Sequence, residues 1–196
     1  MKHIYQDNKS TETFLLLHGT GGDEHDLLGL AQTINPSYNV LSVRGEIQEN
    51  GMNRFFKRLA EGVFDEEDLV YRTHQLNAFV SNKAIEYGFD RNKIIALGYS
   101  NGANIAASIL FHYQDAFHKA ILLHPMVPLR KELPDLAIVS IFIGAGTNDP
   151  ICPPEQSIEL EHLFKKANAK VHLHWENNGH RLTQRELDAV KDWLSK

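Results

Sequence analysis

The chain has 196 residues, of which 42% are hydrophobic and 23% charged, a composition typical of a globular domain with its own core. Its net charge of −5 argues against a nucleic-acid partner, and no stretch approaches the ~20 apolar residues of a membrane span. The single cysteine, Cys152, excludes an intramolecular disulfide. A single cysteine and a first segment without a signal-peptide apolar region together predict a cytoplasmic protein. No Cys/His cluster has zinc spacing, so no metal site is expected.

Short apolar runs alternate with amphipathic ones, which predicts an α/β fold with a mostly parallel sheet flanked by helices. The predicted strands are Thr13–His18, Asn39–Val43, Asn92–Leu97, Lys119–Leu123, Ala137–Ile143 and Lys170–Trp175. The predicted helices are Asp26–Ile34, Asp68–Tyr87, Ala103–Phe111, Pro153–Ala167 and Thr183–Leu194. In the last helix Thr183 is a candidate N-cap with Glu186 three residues on, the spacing of a capping box. No repeat or linker divides residues 1–196, so one domain is expected.

The segment Arg44–Glu67 is long and mixed in character, and loops of this length inside a compact domain are usually functional. We predict that it forms a minimal cap over a substrate pocket. Its candidate apolar contacts are Met52, Phe55, Phe56 and Phe64, and its candidate anion contacts are Arg44, Arg54 and Arg58. The same aromatic side chains would also suit a loop that packs on the core.

A G-x-S-x-G pentapeptide, Gly98 to Gly102, lies between a predicted strand and a predicted helix. A serine at such a turn has a strained backbone and an exposed Oγ, and the glycines avoid Cβ collisions across the turn. The helix behind it directs its N-terminal N–H groups toward developing negative charge. The pattern therefore predicts a nucleophile elbow with Ser100 as the nucleophile.

A serine nucleophile needs a base, and the base needs an orienting acid. In α/β-hydrolases the chain order is serine, acid, histidine, and functional groups follow the carboxyl ends of parallel strands. Asp149 and His180 meet both conditions. His124 also ends a strand, but it precedes Asp149, so we predict a pocket-wall, substrate-contacting or structural histidine there instead. The predicted oxyanion donors are the backbone N–H groups of Asn101 and of Thr20, which lies in the glycine-rich loop after the first predicted strand.

With these residues the chain resembles the phospholipase/carboxylesterase family of small α/β-hydrolases over nearly its whole length. The resemblance rests on Leu17 to Glu24, Gly98 to Ala103, Gly146 to Pro150 and Gly179-His180, while Asn53 to Asp65 resembles a bacterial subgroup of carboxylesterases related to hydroquinone-stress hydrolases. It implies cofactor-free hydrolysis of small-molecule carboxylic esters, often by a dimer, and places the oxyanion donors at Thr20 and Asn101. The acyl-protein thioesterase branch commonly has Leu and Gln at these two positions. Dienelactone hydrolases, which the family also resembles, use cysteine where Ser100 stands.

The leading hypothesis is thus a serine carboxylesterase that acts on small to medium esters through Ser100, His180 and Asp149. A thioesterase, lysophospholipase-like hydrolase or peptidase could use the same three residues, because the pocket and not the triad recognises the leaving group. A catalytically silent hydrolase-fold protein that binds a small ligand is the alternative from another class.

Overall fold

The structure, a computed structural model, describes residues 1–196. The strands are β1 (His3–Gln6), β2 (Thr13–Leu17), β3 (Asn39–Val43), β4 (Ile47–Glu49), β5 (Met52–Arg54), β6 (Arg58–Ala60), β7 (Val63–Phe64), β8 (Ile94–Tyr99), β9 (Lys119–Leu123), β10 (Ser140–Gly146) and β11 (Lys170–Glu176). The helices are α1 (Leu28–Ile34), α2 (Glu66–Tyr87), α3 (Asn101–His112), α4 (Pro154–Lys166) and α5 (Gln184–Leu194). None of them is long and apolar enough to cross a membrane.

Seven strands form one sheet in the order β1-β3-β2-β8-β9-β10-β11. The β1–β3 pair is antiparallel, and every other pair is parallel. This is the α/β-hydrolase fold in a single domain, as the sequence predicts. Because the strands are parallel, the loops that follow β8, β9, β10 and β11 emerge at the same edge of the sheet.

Helices cover both faces of the sheet, which explains why its central strands are continuously apolar. In β2, Leu15 and Leu17 pack with residues of α2, α3 and α4, whereas Phe14 and Leu16 pack with residues of α1 and α5. Side chains of a strand alternate between the two faces, so each strand contributes to two cores. The sheet edge that carries the loops is therefore held rigidly from both sides.

Several predicted boundaries are wrong by a few residues. Residues 137–139 do not begin a strand, because Val139 N–H donates to Leu136 O in a turn (2.8 Å) and Ile138 is exposed; β10 runs on to Gly146 instead. The edge strand β1 was not predicted. Helix α2 begins before Asp68, where the Asp65 side chain accepts a hydrogen bond from Asp68 N–H as an N-cap.

The segment between β3 and α2 is not an irregular loop as predicted. It folds into two short antiparallel hairpins, β4–β5 and β6–β7. Asn50 and Gly51 supply the positive φ angles (52° and 80°) of the first turn, and Gly62 (72°) supplies that of the second. The first hairpin is tied to the loop after β2, because Gly21 N–H donates to Asn53 O (2.9 Å) and Asn53 Nδ2 donates to Gly22 O (2.7 Å).

Candidate active site

Ser100 lies between β8 and α3 with φ 51° and ψ −112°, in the left-handed region that a residue other than glycine rarely adopts. The flanking glycines are required by close backbone contacts. A Cβ on Gly98 would lie 2.6 Å from Gly102 O, and a Cβ on Gly102 would lie 1.9 Å from Leu17 O. The pentapeptide thus forms the sharp strand-to-helix turn that its pattern predicts.

The structure brings Ser100, His180 and Asp149 into one hydrogen-bonded chain. His180 Nε2 is 2.9 Å from Ser100 Oγ, and His180 Nδ1 is 2.7 Å from Asp149 Oδ2. Both distances are within hydrogen-bonding range, and a proton on Nδ1 leaves the Nε2 lone pair free to accept one from the serine. These three residues follow β8, β10 and β11, whose ends meet at one edge of the sheet.

Asp149 is buried and its carboxylate accepts four hydrogen bonds. Oδ1 accepts from the backbone N–H groups of Ile151 and Cys152 (2.9 Å each), and Oδ2 accepts from His180 and from His124 Nδ1 (3.0 Å). Burial by itself would raise the pKa of Asp149, but these hydrogen bonds outweigh it and hold that pKa below its ordinary value. The carboxylate therefore stays ionised and fixed in orientation.

Thr20 and Asn101, the predicted oxyanion donors, line the same cleft as Ser100. Asn101 is the first residue of α3, so its backbone N–H belongs to the orphan donors of the helix start. Its side-chain Oδ1 accepts from Phe55 N–H (2.7 Å), which anchors the cap segment to the elbow. Thr20 Oγ1 accepts from Arg54 Nη1 (2.7 Å), and this bond holds the loop after β2 against the cap.

Of the predicted cap contacts, Phe64, Arg54 and Arg58 line the cleft, whereas Met52, Phe55 and Phe56 do not. Phe55 and Phe56 are buried in the core, and Met52 is partly exposed beside Gly21, so none of the three lines the cleft around Ser100. The Phe55 and Phe56 side chains both pack against apolar side chains, and this packing explains why they are not available to a substrate. The cleft is lined instead by Thr20, Arg54, Arg58, Glu61, Gly62, Phe64, Ser100, Asn101, Asn104, Met126, Ile151 and Cys152.

The prediction that His124 contacts substrate disagrees with the structure. His124 is 1% exposed, lies 3.0 Å through Nδ1 from Asp149 Oδ2, and does not line the cleft. Its ring is 5.2 Å from that of His180, centroid to centroid. The next buried group beyond it is Glu186 of α5, whose Oε2 is 3.5 Å from His124 Nε2.

The predicted capping box at the start of α5 is only half formed. Thr183 Oγ1 accepts from Glu186 N–H (3.0 Å), but the Glu186 side chain points to His124 and does not return to the backbone of Thr183.

Tyr99 is a site residue that the sequence reasoning missed. Its hydroxyl donates to the backbone oxygen of His180, and its ring lies 5.4 Å from the His180 ring. Burial, followed by the charge of Asp149, raises the pKa of Tyr99 to about 12, so the phenol stays a neutral donor. Its position inside the pentapeptide was the only signal in the sequence.

The ring nitrogens and carboxylate of His124, Asp149 and His180 lie within 4.8 Å of one another, a spacing that a metal ion could also use. Hydrogen bonds account for the arrangement, however. Both imidazoles donate Nδ1–H to the same Asp149 oxygen, and His180 Nε2 faces Ser100. Hydrogen bonds thus occupy Nδ1 of both rings, Nε2 of His180 and the carboxylate of Asp149.

Comparison with known proteins places the chain in a family. The sequence model of the phospholipase/carboxylesterase family matches residues 3–196. The chain belongs to this family. It is 54% identical to MhqD of Bacillus subtilis over 98% of this chain and 97% of that protein.

Two solved structures are similar over almost the full length. The Bacillus cereus carboxylesterase superposes with a TM-score of 0.98 at 58% identity, covering 100% of this chain and 93% of that one. YahD, solved with malic acid, superposes with a TM-score of 0.93 at 35% identity, covering 99% and 98%. The chain is therefore a member of the carboxylesterase family with the fold of its relatives intact.

Proposed function

We propose that the chain is a serine carboxylesterase that hydrolyses small to medium carboxylic esters through an acyl-enzyme. The observation that carries this proposal is the continuous hydrogen-bonded chain from Ser100 Oγ, which lines the cleft, to His180 (2.9 Å) and on to Asp149 (2.7 Å). The geometry supports nucleophilic catalysis because each donor faces one acceptor in the direction that the proton must move.

In the first half-reaction Ser100 Oγ attacks the ester carbonyl while His180 Nε2 takes the hydroxyl proton. Asp149 stabilises the imidazolium through the Nδ1 hydrogen bond. The oxyanion accepts from the backbone N–H groups of Thr20 and Asn101, each of which contributes about 10²–10³-fold in rate on the scale of known oxyanion holes. His180 then protonates the departing alcohol. Water, activated by the same nitrogen, attacks the acyl-enzyme, releases the acid and restores Ser100.

The ester hydrolysis is tested with p-nitrophenyl esters from acetate to octanoate on wild type, Ser100→Ala and Ser37→Ala. Ser37 is an exposed serine on the turn between α1 and β3 and serves as the matched control. We expect Ser100→Ala to fold and to lose at least about 10⁴-fold in kcat, with Ser37→Ala unchanged. Turnover by folded Ser100→Ala at the wild-type rate would refute the proposal.

We further propose that the preferred esters carry a carboxylate. Arg54 is 4% exposed, lines the cleft, and pairs through Nε with Glu49 Oε2 (3.3 Å). Arg58 also lines the cleft and donates to the other oxygen of the same glutamate (2.8 Å). Two guanidinium groups that line the cleft with Ser100 thus share one carboxylate. Glu61 also lines the cleft, but it is exposed and forms an ion pair with neither arginine.

A buried guanidinium with an incomplete set of anionic partners favours an anion in the cleft. The similarity to YahD supports the same class of ligand, since malic acid is a small dicarboxylate. In this arrangement Arg54 and Arg58 hold the substrate carboxylate while the ester carbonyl faces Ser100. The cap then serves as an anion-recognition element and not as an apolar acyl pocket.

This substrate preference is tested by acid release from monomethyl succinate and from methyl 4-methylpentanoate, a neutral ester of similar shape. We expect the wild type to have a higher kcat/KM for the succinate ester than for the neutral ester. Arg58→Gln should lower the kcat/KM for the succinate ester, relative to that for the neutral ester, about tenfold or more. A charge-assisted hydrogen bond contributes about 1.5–3 kcal/mol, which sets this scale. Arg130→Gln, which removes an exposed arginine paired with Glu159, is the control. Equal kcat/KM values for the two esters in wild type would contradict the anion preference.

The leaving group is a separate question, because the same triad can cleave oxygen esters, thioesters and amides. Kinetics with the three derivatives of one acyl chain separates a carboxylesterase from a thioesterase or peptidase. The alternative of a silent binding protein is tested with a fluorophosphonate probe, which labels an activated serine only. Failure of Ser100 to react would favour that alternative.

A further inference from the structure

Behind the triad lies a buried pair that ester hydrolysis by Ser100, His180 and Asp149 does not by itself require. His124 and Glu186 have fully buried side chains, and no hydrogen bond in the structure satisfies His124 Nε2 or either carboxyl oxygen of Glu186. Gly144 of β10 provides the space, because a Cβ there would lie 2.0 Å from Glu186 Oε1. A buried carboxyl group without a partner is costly, so its retention beside the catalytic acid needs a physical explanation.

The protons on the two ring nitrogens of His124 supply that explanation. His124 Nδ1 must carry a proton, since it faces an Asp149 oxygen that can only accept. A neutral His124 would then turn its Nε2 lone pair toward the Glu186 carboxylate at 3.5 Å, which is repulsive. One proton between Nε2 and the carboxylate removes this repulsion. The carboxyl groups at both ring nitrogens raise the pKa of His124, which favours this proton on Nε2 over the Glu186 carboxyl group and makes His124 an imidazolium.

Every titratable group that packs against His124 is compatible with this assignment. The carboxyl groups of Asp149 and Glu186 face the two ring nitrogens, at 3.0 Å from Nδ1 and 3.5 Å from Nε2. Burial by itself would lower the pKa of His124, but these two carboxylates outweigh it, and the net pKa is raised. Tyr99, whose ring is 6.1 Å away, stays neutral, and so does Cys152, whose thiol donates to His124 O (3.2 Å) and whose pKa is raised by burial.

We propose that Glu186 and His124 are positioning residues that extend the triad to a five-membered chain, Ser100–His180–Asp149–His124–Glu186, and set the pH at which the catalytic histidine becomes available as a base. The proposal rests on the proposed function, because it concerns the same serine. The imidazolium of His124 donates to the Asp149 oxygen that also orients His180. It thereby makes this oxygen less basic.

The same positive charge acts directly on His180, whose ring is 5.2 Å from that of His124. A like charge at this distance opposes the placing of a second positive charge on His180. Glu186 matters because it keeps His124 charged. In Glu186→Gln the isosteric amide can donate N–H to an unprotonated His124 Nε2, so His124 becomes neutral. The triad geometry is preserved in that variant while the charge is lost.

The test measures the rate at which a fluorophosphonate labels Ser100, as a function of pH, in wild type, Glu186→Gln and Glu176→Gln. Glu176 is the matched control, since it is also buried and bonded to a histidine, His174 (2.9 Å), but contacts no triad residue. We expect the acid limb of the Glu186→Gln profile to move to higher pH by ~1 unit, the size of a single nearby charge, with the plateau rate within about tenfold. The Glu176→Gln profile should coincide with that of wild type.

A folded Glu186→Gln protein whose acid limb coincides with wild type would overturn the proposal, and so would an equal shift in Glu176→Gln. If Glu186→Gln fails to fold, nitrogen NMR of wild type labelled with ¹⁵N-histidine decides the question at pH 8. Two protonated ring nitrogens on His124 support the proposal, and one refutes it. Absence of labelling in wild type would instead refute the proposed function, so the two failures are distinguishable.

Discussion

Asp149→Asn is the substitution whose effect on catalysis the structure predicts most directly. The carboxylate accepts two backbone N–H groups on Oδ1 and two imidazole N–H groups on Oδ2, and asparagine keeps only one acceptor oxygen. If the amide NH₂ faced the backbone donors, two buried N–H groups would be left unsatisfied at about 1–3 kcal/mol each. We therefore expect the oxygen to stay on the backbone donors and the NH₂ to face the two histidines.

That orientation forces the His180 proton from Nδ1 to Nε2, where it points at Ser100 and cannot accept the hydroxyl proton. The equivalent change in a Ser-His-Asp protease lowers kcat about 10⁴-fold, which corresponds to a barrier increase of about 5.4 kcal/mol. We expect a loss of the same order in kcat for p-nitrophenyl acetate, with KM nearly unchanged.

Stopped-flow or steady-state kinetics across the pH range measures this loss, with thermal unfolding to show that the variant is folded. Asp188→Asn, at an exposed position of α5, is the control and should keep wild-type kcat. A folded Asp149→Asn enzyme with kcat within tenfold of wild type at every pH would refute the assigned role of the acid.

Three further predictions concern stability and the elbow. Phe56→Ala should lower the free energy of unfolding by about 3–5 kcal/mol in denaturant titration, because the ring is fully buried; a loss under 1 kcal/mol would contradict its place in the core. Gly102→Ala should abolish labelling of Ser100 by a fluorophosphonate, because its Cβ would lie 1.9 Å from Leu17 O, whereas Gly29→Ala, in open space on α1, should label normally. The lowered pKa of Asp149 means that its ionisation stabilises the fold above its unfolded pKa of about 3.9 and that this contribution disappears as the pH falls through the lower folded value. Urea titrations from pH 6 to pH 2 should therefore show a steeper loss of stability in wild type than in Asp149→Asn, and parallel curves would contradict it.

Much of the fold could be predicted because local patterns specify it. Short continuous apolar runs bounded by turn glycines indicate buried strands, and amphipathic runs indicate helices, within short windows. The pentapeptide at Gly98–Gly102 carries its own geometry, since its glycines and serine determine the turn between β8 and α3. The chain order of Ser100, Asp149 and His180, combined with the rule that sites follow parallel strand ends, was enough to select three residues that the structure brings together.

The misplaced side chains all belong to positions whose surroundings come from distant parts of the chain. Phe55 and Phe56 suit a pocket and a core equally by composition, and only the packing of the cap on the core buries them. His124 was recognised as ending a strand, but the sequence gives no sign that it lies behind Asp149. Glu186 fits a capping box by spacing, yet its side chain turns inward because Gly144 leaves room beside β10.

The sequence by itself therefore determined the class of fold, the strand-to-helix turn and the three residues of the candidate triad. The tertiary structure alone decided which of the candidate arginines line the cleft, namely Arg54 and Arg58, and that His124 and Glu186 form a buried pair beside Asp149. The physical reason is that local backbone preference and hydrophobic period are properties of neighbouring residues, whereas burial, pairing and protonation depend on which remote side chains share a space.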